Sequence, residues 1–305
     1  MQLPLRYRIA QFIIGIKDWL VAGLIALSIT LIRLIPRDTA TRWFTSFARW
    51  LGPKIWRHKV VVQNLEIAFP DKTAEERKQL ASDSWAEMAK SLIEYVHLDD
   101  IFDMDENTAE SKNIEVINAD QFLKLRDDGL PAILFTGHIA NFELLPMVAS
   151  RFGLVVHSLF RQPNNKHAAS HVARARNQVS QNLIASGRGA AFQLVNALER
   201  GDHVGLLVDQ KFRKGIQVPF FGKAAPTNTL LAKLARRYNC PVHGARCVRL
   251  PEGRFRLEIT DELDLPRDDN GDIDIRGTTE MVTKMVEGWV REHPEQWLWM
   301  HRRWG

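Results

Sequence analysis

Apolar and polar positions divide this 305-residue chain into stretches of different period. The first stretch is a run rather than a period. WLVAGLIALSITLI, residues 19–32, holds fourteen positions without a charge, and FIIGI and the pair Lys17–Asp18 precede it. As a helix it would extend about 21 Å, short of the roughly 30 Å hydrocarbon layer of a bilayer. Crossing therefore requires Lys17 and Asp18 to snorkel or to neutralise one another. No small-residue cleavage site follows before Arg33 and Pro36, which argues against a removed leader. Residues 1–36 are expected to form a hydrophobic membrane anchor, with a buried core helix as the alternative. Basic residues flank the run on both sides (Arg6, Arg8 and Lys17, then Arg33 and Arg37), so charge fixes no orientation.

After Pro36 the pattern becomes helical. Trp43, Phe47, Trp50, Ile55 and Trp56 place many aromatics where a helix would lie near a bilayer interface or pack into a core. NLEIAFPDKTAEE then reads as a turn and a helix start. Thr73 and Glu76 have the spacing of a capping box, and Trp85, Met88, Leu92 and Tyr95 follow at helical intervals. From Ile114 short apolar runs alternate with helical stretches. The strands predicted are 132–136, 154–160, 203–208, 241–248 and 255–259. Helices are predicted over 142–152, 165–186, 190–200, 229–239 and about 276–292, with 264–274 as a polar loop. Strands that alternate with helices predict an α/β fold, a central sheet covered by helices on both faces. With no internal repeat and no low-complexity linker, residues 37–305 are expected to form one catalytic domain behind the anchor.

Composition adds a few limits. Hydrophobic residues are 45% and charged residues 25%, the balance of a globular protein. The net charge of +5 is spread along the chain. It suits an anionic membrane surface or an acidic carrier protein, and is too diffuse for nucleic acid. No Gly-rich nucleotide loop and no metal-finger pattern is present. The two cysteines, Cys240 and Cys247, are too few for a disulfide framework and read as small core residues in a reducing compartment.

The chemistry concentrates in PAILFTGHIANFELLP. A buried strand ends at Thr136, Gly137 permits a sharp turn, and His138 stands at the carboxyl edge of the sheet, where open α/β sheets bind ligands. Pro146 fits a helix only near its first turn, so a helix begins within a few residues and Glu143 falls at its start. Glu143 is within reach of His138. A carboxylate that keeps one imidazole nitrogen protonated leaves the other free to take a hydroxyl proton. No serine or cysteine has a nucleophile-elbow context, so the nucleophile is expected to be the substrate's own hydroxyl. Alone, a histidine and a glutamate five residues apart say little. The weight comes from other strand ends, where Asp209 and Gln210 close HVGLLVDQ and Arg161 follows LVVHSLF. An arginine there suits a phosphate or a developing oxyanion, or else a surface ion pair. His167 and His171 share a helical face, but Arg174 and Arg176 follow and no acidic ligand is near, so that face reads as basic rather than metal-binding. Trp297, Trp299 and Trp304, interleaved with His301, Arg302 and Arg303, read as core packing with a basic rim.

As a set, GHIANFE, FRQPNN, LLVDQ, VPFFGKAAPTNTLLAKLA and HPEQWLWMHRRW resemble, in order and spacing, the bacterial lipid A late (lauroyl/myristoyl) acyltransferases over nearly the whole chain. The resemblance implies an acyltransferase-type α/β core with an anchor at the inner membrane and a site on its cytoplasmic face. It implies transfer of a fatty acyl chain from an acyl-carrier-protein thioester to a hydroxyl of a hydroxyacyl chain on a Kdo-bearing lipid A precursor, without cofactor or metal. His138 is then the general base and Glu143 its partner, while Arg161, Asp209, Gln210, Asn141 and Asn164 bind substrate or build the site. Ile139 and Ala140 replace residues that are often smaller or more polar. Gln162 separates Arg161 from Pro163, and TNTLL lacks the usual preceding Gly-Pro. Those departures bear on acceptor position and chain length. An acyltransferase for another membrane glycolipid, such as a phosphatidylinositol mannoside, and a thioesterase in which His138 activates water remain alternatives.

Overall fold

The computed structural model describes residues 5–105, 110–160, 182–187 and 189–304. The chain begins with α1 (Leu5–Arg33), α2 (Arg37–Leu51), α3 (His58–Ala68), α4 (Ala74–Val96) and the short α5 (Leu98–Ile101). Pro36 separates α1 from α2 with an extended ψ of 135°. The capping box is formed: Thr73 Oγ1 accepts from the Glu76 amide while the Glu76 carboxylate accepts from the Thr73 amide, so two orphan donors of α4 are satisfied.

Beyond it, β1 (Ile114–Ile117), α6 (Ala119–Asp127), β2 (Ile133–Thr136), α7 (Leu144–Arg151), β3 (Val156–Phe160), β4 (Leu183–Ala185), α8 (Ala190–Glu199) and β5 (His203–Leu207) follow. A hairpin, β6 (Ile216–Phe220) and β7 (Lys223–Thr227), precedes α9 (Leu230–Tyr238), β8 (Val242–Arg249), β9 (Phe255–Ile259) and α10 (Ile275–Glu292). The seven strands outside the hairpin form one sheet in the order β1-β9-β8-β2-β5-β3-β4. Its pairs are parallel except β8 with β9. The α/β expectation holds in this form, a mixed and mostly parallel sheet with helices.

Most predicted elements are found near their expected positions. The helix expected over 165–186 lies mainly outside the described residues, and its end is not helical. Leu183–Ala185 pairs with Ser158–Phe160 as an edge strand, a partnership that short-range periodicity does not encode. The β6–β7 hairpin, β1 and β4 were not among the strands predicted.

Side chains alternate across β2 as the pleat requires. Ile133 and Phe135 join the large core, which includes Val286, Trp289 and Val290 of α10; the Phe135 and Trp289 rings stack at 5.7 Å. Leu134 joins a smaller cluster with Leu125 of α6 and Ala149 of α7.

The N-terminal helices differ from this core. The last turn of α1 packs through Ile32 with Ala40, Ile93 and Val96, and Arg33 Nε donates to the Val96 carbonyl. Upstream, Trp19, Leu20, Leu24, Leu27 and Leu31 are exposed. On α2, Trp43, Phe47 and Trp50 are exposed on one face, at 61%, 53% and 61%, while Ala40 and Thr45 are buried. Lys54 Nζ lies 3.4 Å from the centre of the Trp50 ring. Among the described residues no helix is long and apolar enough to cross a membrane.

Candidate active site

The parallel register of β2 and β5 sets the centre of the site. Thr136 pairs with Leu207, so the residues two positions beyond each, His138 and Asp209, leave adjacent strands at the same level. Gly137 lets them close up: a side chain there would come within 3.1 Å of Val286 and 3.4 Å of the Asp209 carboxylate. Asp209 is 3% exposed and accepts three hydrogen bonds. The His138 amide donates to Oδ2 at 2.7 Å, the His138 ring donates from Nδ1 to Oδ1 at 2.7 Å, and Trp297 Nε1 donates to Oδ2 at 2.8 Å. Burial pushes the carboxyl pKa up, but the His138 ring and these donors outweigh it and hold Asp209 down to about 2. An ionised Asp209 takes the Nδ1 proton as its partner, which leaves Nε2 as the acceptor. Gln210 Nε2 occupies it, 3.0 Å from His138 Nε2.

The carboxylate hydrogen-bonded to His138 is thus Asp209, whereas the sequence reading paired the histidine with Glu143. Glu143 is the residue before α7, and Pro146 sits in the first turn as expected. Glu143 lines the cavity beside His138. Asn141 is buried at 3% exposure and lines neither cavity described here. Arg161, Asn164, His167 and His171 lie outside the described residues. Among the described residues no group of three His, Cys, Asp or Glu side chains is placed to hold a metal.

The last residues of the chain brace the histidine loop. Ile139 bridges to Trp297, the Leu298 amide donates to the His138 carbonyl, and the Ala140 amide donates to the Gln296 carbonyl. Ala140 has φ 48°, a left-handed conformation that a residue with a side chain adopts at a cost. Both sides of it are held, since Ser91 Oγ donates to its carbonyl at 3.2 Å. Behind this clasp stands Arg249 on β8. Its guanidinium makes paired hydrogen bonds to Glu94, at 2.6 and 2.7 Å, and further bonds to Glu87 and to Ser91 Oγ. Gln296 exchanges two hydrogen bonds with the Arg249 backbone. Burial lowers the arginine's pKa, but Glu94 and Glu87 more than offset that and hold it above its ordinary value. Sequence reasoning missed Arg249, whose side-chain partners on α4 lie more than 150 residues away, and missed the left-handed turn at Ala140. Trp297 and Trp299 are core residues as expected. Arg303 is fully buried and donates to the Pro226 carbonyl and Thr227 Oγ1, so it is not part of a basic rim. Cys240 and Cys247 are buried free thiols whose pKa values burial pushes up to about 11 and about 12, which fits inert core positions.

A cavity of about 650 Å³ opens at His138 and runs over one face of the sheet. Leu134, Leu145, Val156, Leu206 and Leu257 give it an apolar lining, and Glu143, Gln210 and His301 stand among its polar groups. His301 accepts a hydrogen bond from the Lys211 amide at 2.8 Å, and burial holds its pKa down to about 4. The arrangement offers an imidazole held by Asp209 beside room for a long apolar chain.

The model of the family described as bacterial lipid A biosynthesis acyltransferase matches residues 10–305. A lipid A biosynthesis palmitoleoyltransferase of Escherichia coli (strain K12) is 26% identical over 261 residues, covering 81% of this chain and 78% of its own length. A lipid A biosynthesis acyltransferase of Shigella flexneri matches to the same extent. The lipid A biosynthesis lauroyltransferase of Escherichia coli (strain K12) is 25% identical over 252 residues.

Proposed function

Because the chain belongs to the bacterial lipid A biosynthesis acyltransferase family, we propose that it moves a fatty acyl group from an acyl-carrier-protein thioester to a hydroxyl of a hydroxyacyl chain on a Kdo-bearing lipid A precursor. The observation that carries the mechanism is the His138–Asp209 pair at the mouth of the apolar cavity. The acyl tail of the donor lies in the cavity. The acceptor hydroxyl displaces the Gln210 amide from His138 Nε2, and Nε2 takes its proton as the oxygen attacks the thioester carbonyl. Asp209 holds Nδ1–H throughout and stabilises the imidazolium. When the intermediate collapses the C–S bond breaks, and the proton passes from Nε2 to the leaving thiolate. Glu143 is assigned to the mouth of the large cavity, as a carboxylate on its wall beside His138. Gln210, once displaced, is a donor for the substrate carbonyl. Asn141 supports the loop from its buried position, while Arg161 and Asn164, which follow β3 in sequence, are proposed to meet acceptor phosphate.

The reaction is proposed to take place at the cytoplasmic face of the inner membrane. The exposed aromatic face of α2 with Lys54, and the exposed apolar residues of α1, support an anchor formed by residues 1–36 and extended along α2. A helix lying in the interface meets those exposures without spanning. The test is purified protein with acyl-carrier-protein thioester and lipid A precursor in mixed micelles, read by mass spectrometry. One added acyl chain on the lipid is expected, and none with His138→Ala. Release of free fatty acid with no acylated lipid would instead support a thioesterase.

A further inference from the structure

A second cavity, about 90 Å³, lies between α3, α4 and the C-terminal segment. Among the described residues only His138 and Phe142 line both cavities. Their rings meet edge to face at 5.0 Å and so form a partition between the two spaces. Volume separates the roles. The large cavity takes a long acyl tail, whereas the small one holds only a short segment of chain or a few waters.

The small cavity is lined chiefly by Trp85, Met88, Leu298, Trp299 and Met300. The polar groups of α4 that reach it are already engaged. Ser84 Oγ donates to the Ala81 carbonyl, Glu87 is paired with Lys90 and Arg249, and Ser91 Oγ accepts from Arg249 while donating to the Ala140 carbonyl. What the cavity offers a ligand is apolar contact ending at the His138 ring. Its rim is tied to the exposed aromatic and basic surface: Arg57 donates to the Met300 carbonyl at 3.3 Å, and the same guanidinium lies 4.2 Å from the ring of Trp56, which is exposed. Aromatic rings under cationic groups suit the headgroup region of an anionic lipid.

We propose that the small cavity receives the hydroxyl-bearing segment of a lipid acceptor, entering from the helical layer, while the thioester's acyl tail occupies the large cavity. The two substrates then meet at the His138–Phe142 partition. There the acceptor's C–O bond forms, the thioester's C–S bond breaks, and the hydroxyl proton reaches the thiolate by way of His138. This assignment rests on the acyl-transfer reading above and adds which substrate approaches from which side.

Met88 and Met300 are half-buried on the cavity wall, so Met88→Trp and Met300→Trp fill it with little strain on the core. Steady-state rates are measured with the acyl-carrier-protein thioester and a hydroxyacyl lipid A precursor, each varied in turn, on variants whose melting matches wild type. Each substitution is expected to raise the acceptor KM by about tenfold, the loss of one good contact, and to leave the donor KM within about twofold. A donor KM that rises with the acceptor KM overturns the assignment, and so does an acceptor KM that stays put. If the wild-type protein itself acylates no lipid, the acyl-transfer reading falls and this assignment with it. If wild type transfers and only the predicted split is missing, the assignment alone falls.

Discussion

The carboxyl edge of the sheet and the α1–α2 layer break the ordinary rule of burial in opposite directions. At the sheet edge charge is taken out of water. Asp209 and Arg249 are buried, and each is surrounded by partners that hold it ionised. On α1 and α2 large apolar side chains stand in the open, with Trp19, Leu24, Trp43 and Trp50 all more than half exposed. Either arrangement is costly in an isolated water-soluble domain unless something offsets it. At the edge the compensation is internal, a closed set of hydrogen bonds that fixes one imidazole. On the helical layer nothing among the described residues covers the aromatic face, and the proposed lipid interface would. The difference teaches that a fixed imidazole and the proposed attachment surface are built by different devices in the same chain.

Breaking the edge should have the largest effect. Asp209→Asn removes the charge that selects the Nδ1–H tautomer and leaves an amide facing two N–H donors. Turnover should fall by roughly 10²–10⁴, the range expected for loss of a functioning general base. Single-turnover rates from pH 5 to 9 test this, and a loss under about threefold would remove Asp209 from the mechanism. Arg249→Met strikes one layer further back. It strands Glu94 and Glu87 without their cation, at a cost of about 3–5 kcal/mol by analogy with other broken buried pairs. Urea unfolding should show that loss, and kcat should fall more than either KM, because the residue acts through Gln296, Ser91 and the Ala140 turn.

The helical layer should respond differently. Trp43→Ala, Phe47→Ala and Trp50→Ala together should lower partition onto anionic vesicles by about tenfold or more, given the apolar area removed. The rate on acceptor in detergent micelles should hardly change. Equal losses in both settings would mean that α2 belongs to the catalytic unit and that the contrast is false.

The smallest expected effect concerns pH. His301 has its pKa lowered by burial from 6.5 to about 4, so between those values the unfolded chain binds a proton that the folded one does not. Its contribution to stability is whole above 6.5 and is lost as pH falls toward 4. Asp209, lowered from 3.8 to about 2, loses its contribution over a lower window in the same direction. His301→Gln keeps an acceptor for the Lys211 amide and should flatten the stability profile between pH 7 and 5, measured by denaturant unfolding. An unchanged slope would show that another group governs that window.

Much of this was legible along the chain. The Thr73–Glu76 capping box, the strand ending at Thr136, and the helix start implied by Pro146 each depend on residues a few positions apart, and local physics decides them. The place of His138 at the sheet's edge follows from the same short-range reading. What surrounds it does not. Asp209 reaches Nδ1 because β5 lies beside β2 in register, across 71 residues of sequence. Glu143, only five residues away, lines the cavity instead. The bracing by Trp297, Gln296 and Arg249 joins the chain's last residues to α4 and β8. Periodicity reports which face of an element seeks the core, and so the sequence by itself determined most of the elements and the place of the His138 imidazole. Which carboxylate meets that imidazole depends on the order of strands in the sheet, and only long-range packing decided it.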